Sequence, residues 1–339
     1  MNNYDQAGEL RRLVIDSIEN KNMNRNMNTD SGRGRDNVSP LHTIAVLSGK
    51  GGVGKSNIAA SLAFALADFG KRVVLVDADL GLANLDILCG VKNARFNIAH
   101  LIEGSRGLNE ILVRFKPSER AGKLHGSVSL LPGGYGIREI ADLDEFAMER
   151  LFAALSSIEE IADYLIMDAG AGIHRGALSF AYASEVTIII TTPEPTSVRD
   201  AYGVIKSLGS MVSQPGLMLV VNMVESSREA QEVSERIRLA TMQFLGNAPS
   251  FLGYVVRDGA IERAVKACRI FYRTEPDSKA GICIRNLAGE LLRKFEGADF
   301  EAQKLPNNSN NKGISGFLER LASRIFDRRC EKMRYNFEN

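Results

Sequence analysis

A short apolar run, Thr43 to Leu47, leads directly into Gly49-Lys50-Gly51-Gly52-Val53-Gly54-Lys55-Ser56, and helical periodicity resumes from Ser56. Strand, glycine-rich loop and helix, in that order, are the context that turns such a pattern into a phosphate cradle. Glycines let successive backbone N–H groups converge on phosphate oxygens with no Cβ in the way. In this reading Lys55 bridges the β- and γ-phosphates of a nucleotide and Ser56 holds Mg²⁺. The first helical turn, with Asn57, adds its positive dipole end. Gly49, Gly51, Gly52, Val53 and Gly54 complete the expected binding loop. Two carboxylates follow the apolar run Arg72 to Val76, in Asp77-Ala78-Asp79, and a third, Asp168, follows Tyr164 to Met167. Strand ends of this kind form the mouth of an open α/β sheet, where ligands sit. Carboxylates two apart on a strand point to one face, so Asp77 and Asp79 are expected to serve one Mg²⁺ site. Asp86 reads as a capping or turn residue.

Lys50 sets this loop apart from a plain P-loop. With it, the chain resembles the deviant-Walker ATPases of the MinD/ParA family, whose motifs recur in order over residues 42 to 296. The resemblance implies an α/β fold, a mostly parallel central sheet with helices on both faces, of the P-loop NTPase type called SIMIBI. It also implies ATP and Mg²⁺ as cofactors, a homodimer that sandwiches ATP, and slow, regulatory hydrolysis resting on Lys50, Lys55 and Asp79. Lys50 would cross the dimer interface to the other subunit's nucleotide. Asp79 would be the switch I residue that orients or activates the attacking water, with Asp77 supporting the Mg²⁺ shell. Asp168, at the Walker B and switch II position, would bind Mg²⁺ through water, and the glycines of Asp168-Ala169-Gly170-Ala171-Gly172 would permit rearrangement around the γ-phosphate. Ala169-Gly170 stand where many relatives carry a hydroxyl side chain. Asn222 matches the adenine-reading asparagine, a turn-forming asparagine being the other reading. Arg257 and Asp258 fall in the adenine-flanking loop, in a version that lacks the usual proline.

The elements needed to position these groups are legible as alternating short apolar runs and longer helical periodicities, the pattern of βαβ units. Strands are expected at Thr43 to Leu47, Arg72 to Val76, Ser127 to Leu131, Tyr164 to Met167, Val186 to Thr191, Leu217 to Val221 and Phe251 to Val255. Helices are expected at Ser56 to Phe69, Phe146 to Ile158, Ser197 to Met211, Arg228 to Leu245 and Ser278 to Phe295. The 339 residues are 45% hydrophobic and 24% charged, enough for a sizeable core, and 42 Lys+Arg against 41 Asp+Glu give no global field for nucleic acid. The four cysteines form no C-x-x-C pair, which argues against a disulfide scaffold or structural zinc site and for a reducing compartment. The four histidines are scattered; His174, just after switch II, is the one placed for a contact. Neither a leader nor an apolar run long enough to span a membrane is expected.

The flanks point to a branch of the family. Residues 1 to 18 read as an amphipathic helix through Ala7, Leu10, Val14 and Ile18, and residues 19 to 40, rich in Asn and Gly, as a flexible tether. Asp5-Gln6-Ala7 with Leu10-Arg11 resembles the D-Q-A-x-x-L-R element of the FlhG (FleN/YlxH) family, MinD-like regulators of flagellar number and placement. The resemblance implies stimulation of an SRP-type GTPase (FlhF-like), a flagellar basal-body or transcription-regulator partner as a further class, and no specific nucleic acid. An N-terminal helix docking on its own domain is the alternative. Thr192-Pro193-Glu194-Pro195-Thr196-Ser197 with Asp200-Ala201-Tyr202 also resembles the FlhG version of that turn. After a linker at 297 to 312, residues 313 to 334 form a basic amphipathic helix with Phe317, Leu318, Leu321, Ile325 and Phe326 on one stripe. It reads as an anchor for an anionic membrane surface, which implies a cytoplasmic protein peripheral to the inner face of the membrane in the ATP state. The same stripe also fits a groove of the ATPase domain at 41 to 296, and the two readings combine if the monomer hides the helix. A MinD-type division-site regulator and a ParA-type partitioning ATPase are the competing functions.

Overall fold

In the computed structural model, which describes residues 41–79, 84–91, 94–116, 126–134, 145–209, 216–296 and 313–323, each apolar run expected to be a strand is one. The chain begins with β1 (His42–Ser48), α1 (Lys55–Asp68), β2 (Arg72–Ala78), the short helices α2 (Leu85–Leu88), α3 (Ile98–Ile102) and α4 (Leu108–Ile111), β3 (Val113–Arg114) and β4 (Ser127–Leu131). It continues through α5 (Glu145–Ser156), α6 (Ile158–Ile161), β5 (Tyr164–Ala171), α7 (Arg175–Ala183), β6 (Val186–Thr191) and α8 (Pro195–Gly209). The remainder is β7 (Gly216–Val224), α9 (Ser227–Leu245), β8 (Ser250–Val256), α10 (Gly259–Lys266), α11 (Phe271–Thr274), α12 (Lys279–Glu296) and α13 at residues 313–323. The eight strands lie in the order β3-β4-β2-β5-β1-β6-β7-β8. All neighbours are parallel except β3, which pairs antiparallel with β4 at the sheet edge. β3 is not among the expected strands because two residues are too few for a period-two pattern to register.

Burial on both faces explains the near-continuous Val, Ile and Leu of the central strands. Val73 and Leu75 of β2 pack with α1 and α12 on one face, while Val74 and Val76 face α3, α5 and α13 on the other. Ala45, Leu47 and Ile189 meet α7, α8 and α9 further along that second face. α1 is wedged between the sheet and α12, so Ile58 to Ala67 is buried all round and carries no amphipathic stripe. Ion pairs fasten the end opposite the phosphate loop, Arg72 to Asp163 at 2.5 Å and Lys71 to Glu296 at 2.7 Å.

The largest departure from expectation is α13. Ile314, Phe317, Leu318, Leu321 and Ala322 are all buried, packed with Leu41 and with side chains of β2, β5 and α5. Phe317 lines one small apolar cavity together with Val76, Ala78, Leu155, Met167 and Phe180. Arg320 donates from Nε to the carbonyl of Ala183 at 2.9 Å, and its burial pulls the guanidinium below its ordinary pKa. Gly313 enters the helix at φ +79°, a backbone that L side chains avoid. The stripe expected to rest on a bilayer is therefore covered by the ATPase core in this conformation. Amphipathic periodicity records which face is dry, not what dries it. Ile325, Phe326, the N-terminal element at 1 to 18, the tether at 19 to 40 and the linker at 297 to 312 lie outside the described residues. Among the described residues no helix is long and apolar enough to cross a membrane.

Candidate functional site

β1 delivers the chain to the phosphate loop, where the Ser48 hydroxyl donates to the carbonyl of Lys50 at 2.9 Å. Gly52 and Gly54 have φ of +80° and +86°, and no side chain caps α1, so its first N–H groups are left for an anion. Two of the glycines are required by close approach. A Cβ at Gly49 would lie 2.3 Å from the carbonyl carbon of Asp200 in α8, and one at Gly54 would lie 2.4 Å from Nδ2 of Asn222.

Lys55 reaches back under the loop to Asp168, Nζ to Oδ1 2.5 Å, and its Nζ also lies 3.5 Å from the Ser56 hydroxyl. Both charges are buried, at 8% and 2% exposure. Burial pushes the Asp168 carboxyl up from its ordinary value while Lys55 pulls the other way. Asp77, the register neighbour of Asp168 across β2 and β5, is also buried. Its carboxyl is raised to about 7, by burial above all and by Asp168, against the opposing pull of three backbone donors. Those donors are the N–H groups of Asp79 at 3.2 Å to Oδ1 and of Asn84 and Leu85, each at 2.9 Å to Oδ2. Asp77 thus ties the turn between β2 and α2 to the end of β2, and Ser56 and Asp168 are the side chains beside Lys55.

The far side of the loop is held by Asn222, whose Nδ2 donates to the carbonyl of Val53 at 2.8 Å. Its Oδ1 is buried without a partner among the described residues, as is Oδ1 of Asn57. An orphaned buried acceptor is costly unless a ligand donor meets it, and the exocyclic amine of adenine is such a donor. Met223, next to it, bulges out of register with φ +58°. In the following loop, Arg257 pairs with Glu225 at 3.1 Å on the surface of the same edge. Asp258 accepts from the N–H groups of Ala260 at 2.9 Å and Ala280 at 3.0 Å, tying α10 to α12. Burial works to raise its carboxyl, but these donors hold it below the usual range. Asp258 thus caps both helices, with one oxygen on each.

Lys50, expected at a dimer interface, is held within its own chain. Its Nζ lies 2.5 Å from Glu194 Oε2 and 3.2 Å from Thr196 Oγ1 at the start of α8, and it keeps the Glu194 carboxyl below the usual range. Asp79, half-buried, faces the switch II strand: a Cβ at Gly170 would lie 3.4 Å from its Cγ and 2.4 Å from Nε2 of His174. Glycine spacing and carboxylates at strand ends made the loop, Asp79 and Asp168 readable. Glu194 and Thr196 stood out only as members of the FlhG-like turn, and nothing in their spacing pointed to Lys50, since that contact depends on where α8 starts.

These parts fit a nucleoside triphosphate with its ion: a glycine cradle, a lysine available for exchange, a serine and a buried carboxylate for the metal, and two orphaned acceptors. Residues 44–267 match the family described as the CobQ/CobB/MinD/ParA nucleotide binding domain. The chain is 34% identical over 284 residues to Antiactivator FleN of Pseudomonas aeruginosa, a match that covers 84% of this chain and 94% of FleN. It is also 34% identical to Flagellum site-determining protein YlxH of Helicobacter pylori, over 84% of this chain and 91% of YlxH. The chain belongs to the FlhG branch of the MinD/ParA ATPases. As a member, it is an ATPase that works with ATP and Mg²⁺. The fold agrees: MinD in the MinC:MinD cell division protein complex of Aquifex aeolicus superposes with a TM-score of 0.57, at 27% identity, over 74% of this chain and 95% of that one.

Proposed function

We propose that this FlhG-type ATPase is a dimerising switch that sets flagellar number and placement, bound to the membrane as the ATP dimer and acting there on an SRP-type GTPase of the FlhF kind. The observation that carries the reading is the packing of α13 beneath β2 and β5: Phe317 shares one apolar cavity wall and core cluster with Val76 and Ala78, which flank Asp77, and with Met167, which precedes Asp168.

On binding, Lys55 would exchange Asp168 for the β- and γ-phosphates, and Ser56 and the released Asp168 would hold the ion. Mg²⁺, when bound, neutralises charge on those phosphates. Asn222 accepts from the adenine amine, and Lys50 leaves Glu194 for the other subunit's phosphates. Asp79 orients the attacking water. The bond from its oxygen to the γ-phosphorus forms as the bond to the β–γ bridging oxygen breaks, giving ADP and phosphate. Adjustment of β2 and β5 around the phosphates moves the floor of the α13 groove and releases the helix, with Arg324, Ile325, Phe326, Arg328 and Arg329 beyond it, to an anionic bilayer. Two copies in one dimer make the second insertion intramolecular, which raises avidity by about 10² to 10⁴. Asp5, Gln6, Ala7, Leu10 and Arg11 form the segment offered to the GTPase.

The test is sedimentation with anionic vesicles in ATP and in ADP, for wild type, Lys55→Ala and Asp79→Ala, with sizing chromatography alongside. Wild type should pellet in ATP, Lys55→Ala should stay monomeric in the supernatant, and Asp79→Ala should pellet as a trapped dimer. A monomeric Asp79→Ala in ATP, or pelleting that ignores the nucleotide, sinks the switch. For the GTPase arm, full-length protein should stimulate GTP hydrolysis and the Gln6→Ala, Arg11→Ala double variant should not.

A further inference from the structure

We infer that His174 is a positioning residue for ATP hydrolysis, an imidazole fixed at the start of α7 that steadies the Asp79 carboxylate over the switch II glycine. The inference rests on the reading of Asp79 as the group that orients water.

His174 is the N-cap of α7, with extended backbone at φ −68° and ψ 154°. Its Nδ1 accepts the N–H of Ala177 at 3.4 Å. A ring nitrogen that accepts carries no proton, which leaves Nε2 as the ring's donor. That nitrogen is turned back over β5: a Cβ at Gly170 would meet Nε2 at 2.4 Å and Cε1 at 2.8 Å, with Cγ of Asp79 at 3.4 Å from the same point. Glycine at 170 is what admits the ring, since any side chain there would displace it. His174 Nε2 and the Asp79 carboxyl carbon thus both lie within 3.4 Å of one point above Gly170, close enough for a contact direct or through one water. The imidazole is exposed and Asp79 half-buried, so the pair sits at the rim of the site.

A carboxylate that orients water must hold one rotamer. A donor on one of its oxygens leaves the other to accept from the water, and preorganisation of this kind acts on the chemical step more than on binding. The cap supplies the rigidity: Nδ1 is anchored to the helix, so Nε2 cannot swing away without uncapping α7.

The two ring nitrogens can be tested apart in the full-length protein. Asparagine places an acceptor where Nδ1 is and nothing at Nε2; glutamine places an amide donor near Nε2 and gives up the cap. With Mg²⁺ and ATP, His174→Asn should keep the wild-type melting temperature and KM while kcat falls about tenfold. His174→Gln should melt lower, having lost an N-cap, yet keep most of kcat. Long-range ¹H–¹⁵N spectra of the nucleotide-free protein, with the ring assigned by its loss in His174→Asn, should show the proton on Nε2. Wild-type kcat in His174→Asn, equal loss of kcat in both variants, or a proton on Nδ1 would each overturn the inference. An Asp79→Ala variant that still turns over normally would instead overturn the reading of Asp79 beneath it.

Discussion

Lys55 and Asp168 lie 2.5 Å apart at almost no exposure, so each leaves the other as an uncompensated buried charge when it is removed. Breaking such a pair costs about 3–5 kcal/mol, whereas removing both charges costs far less. In urea denaturation without nucleotide, Lys55→Ala and Asp168→Ala should each lower the midpoint strongly, and the double variant should lose much less than the two together. Additive losses would mean that the two side chains are not coupled. ATP binding should be gone in Lys55→Ala all the same, because the lysine is also the main charge on the phosphates. Asp77 makes a prediction about pH. Its folded carboxyl keeps a proton to about 7, while the unfolded one releases it near 3.8. Between those values the folded state binds more protons, so its contribution to stability is full below the lower value and is lost as pH rises through the upper one. The slope is up to about 1.4 kcal/mol per pH unit for one proton. Stability of the nucleotide-free protein should therefore fall from pH 4 to 7, and the fall should be shallower in Asp77→Asn; equal slopes would contradict it.

At the scale of elements, what could be read from residue types followed the strength of the local constraint. The seven longer strands were legible because burial on both faces demands unbroken apolar runs, and the phosphate loop because two of its glycines adopt positive φ and two admit neighbouring groups at under 2.5 Å. The structural partners of Asp77 were not legible because they are backbone N–H groups, which leave no trace in side-chain spacing. Those of Asp258 were hidden for the same reason. The stripe of α13 was legible but its covering was not, since a lipid surface and a protein groove ask for the same apolar face. The groove can be weakened without touching the helix. Leu155 is buried and lines the same cavity as Phe317, and truncating such a leucine costs about 2–5 kcal/mol. Leu155→Ala should therefore loosen α13, with faster hydrogen exchange over 313–323 and measurable pelleting with anionic vesicles even in ADP. Unchanged exchange and sedimentation in ADP would show that docking of the helix does not gate membrane binding.

For the whole molecule, the proposed ATP-dependent pairing puts Lys50 to the test, because its geometry bears on the single and the paired state alike. In the single chain its ammonium is satisfied by Glu194 at 2.5 Å and Thr196 at 3.2 Å, both exposed contacts. The lysine is 31% and the glutamate 66% exposed, and exposed ion pairs add little net stability because water serves both partners almost as well. The contact therefore holds the lysine back without making it costly to release, whereas a phosphate sandwiched away from water offers a stronger, less screened partner. Two variants separate restraint from function. Lys50→Ala should melt at the wild-type temperature and bind ATP, yet remain monomeric in sedimentation velocity at any ATP concentration. Glu194→Gln keeps the shape of the turn but removes its charge, so the lysine is free earlier, and the dimer fraction at limiting ATP should rise severalfold. A lower dimer fraction in Glu194→Gln would mean that the glutamate contributes to the paired state, and normal dimerisation of Lys50→Ala would mean that the lysine never crosses.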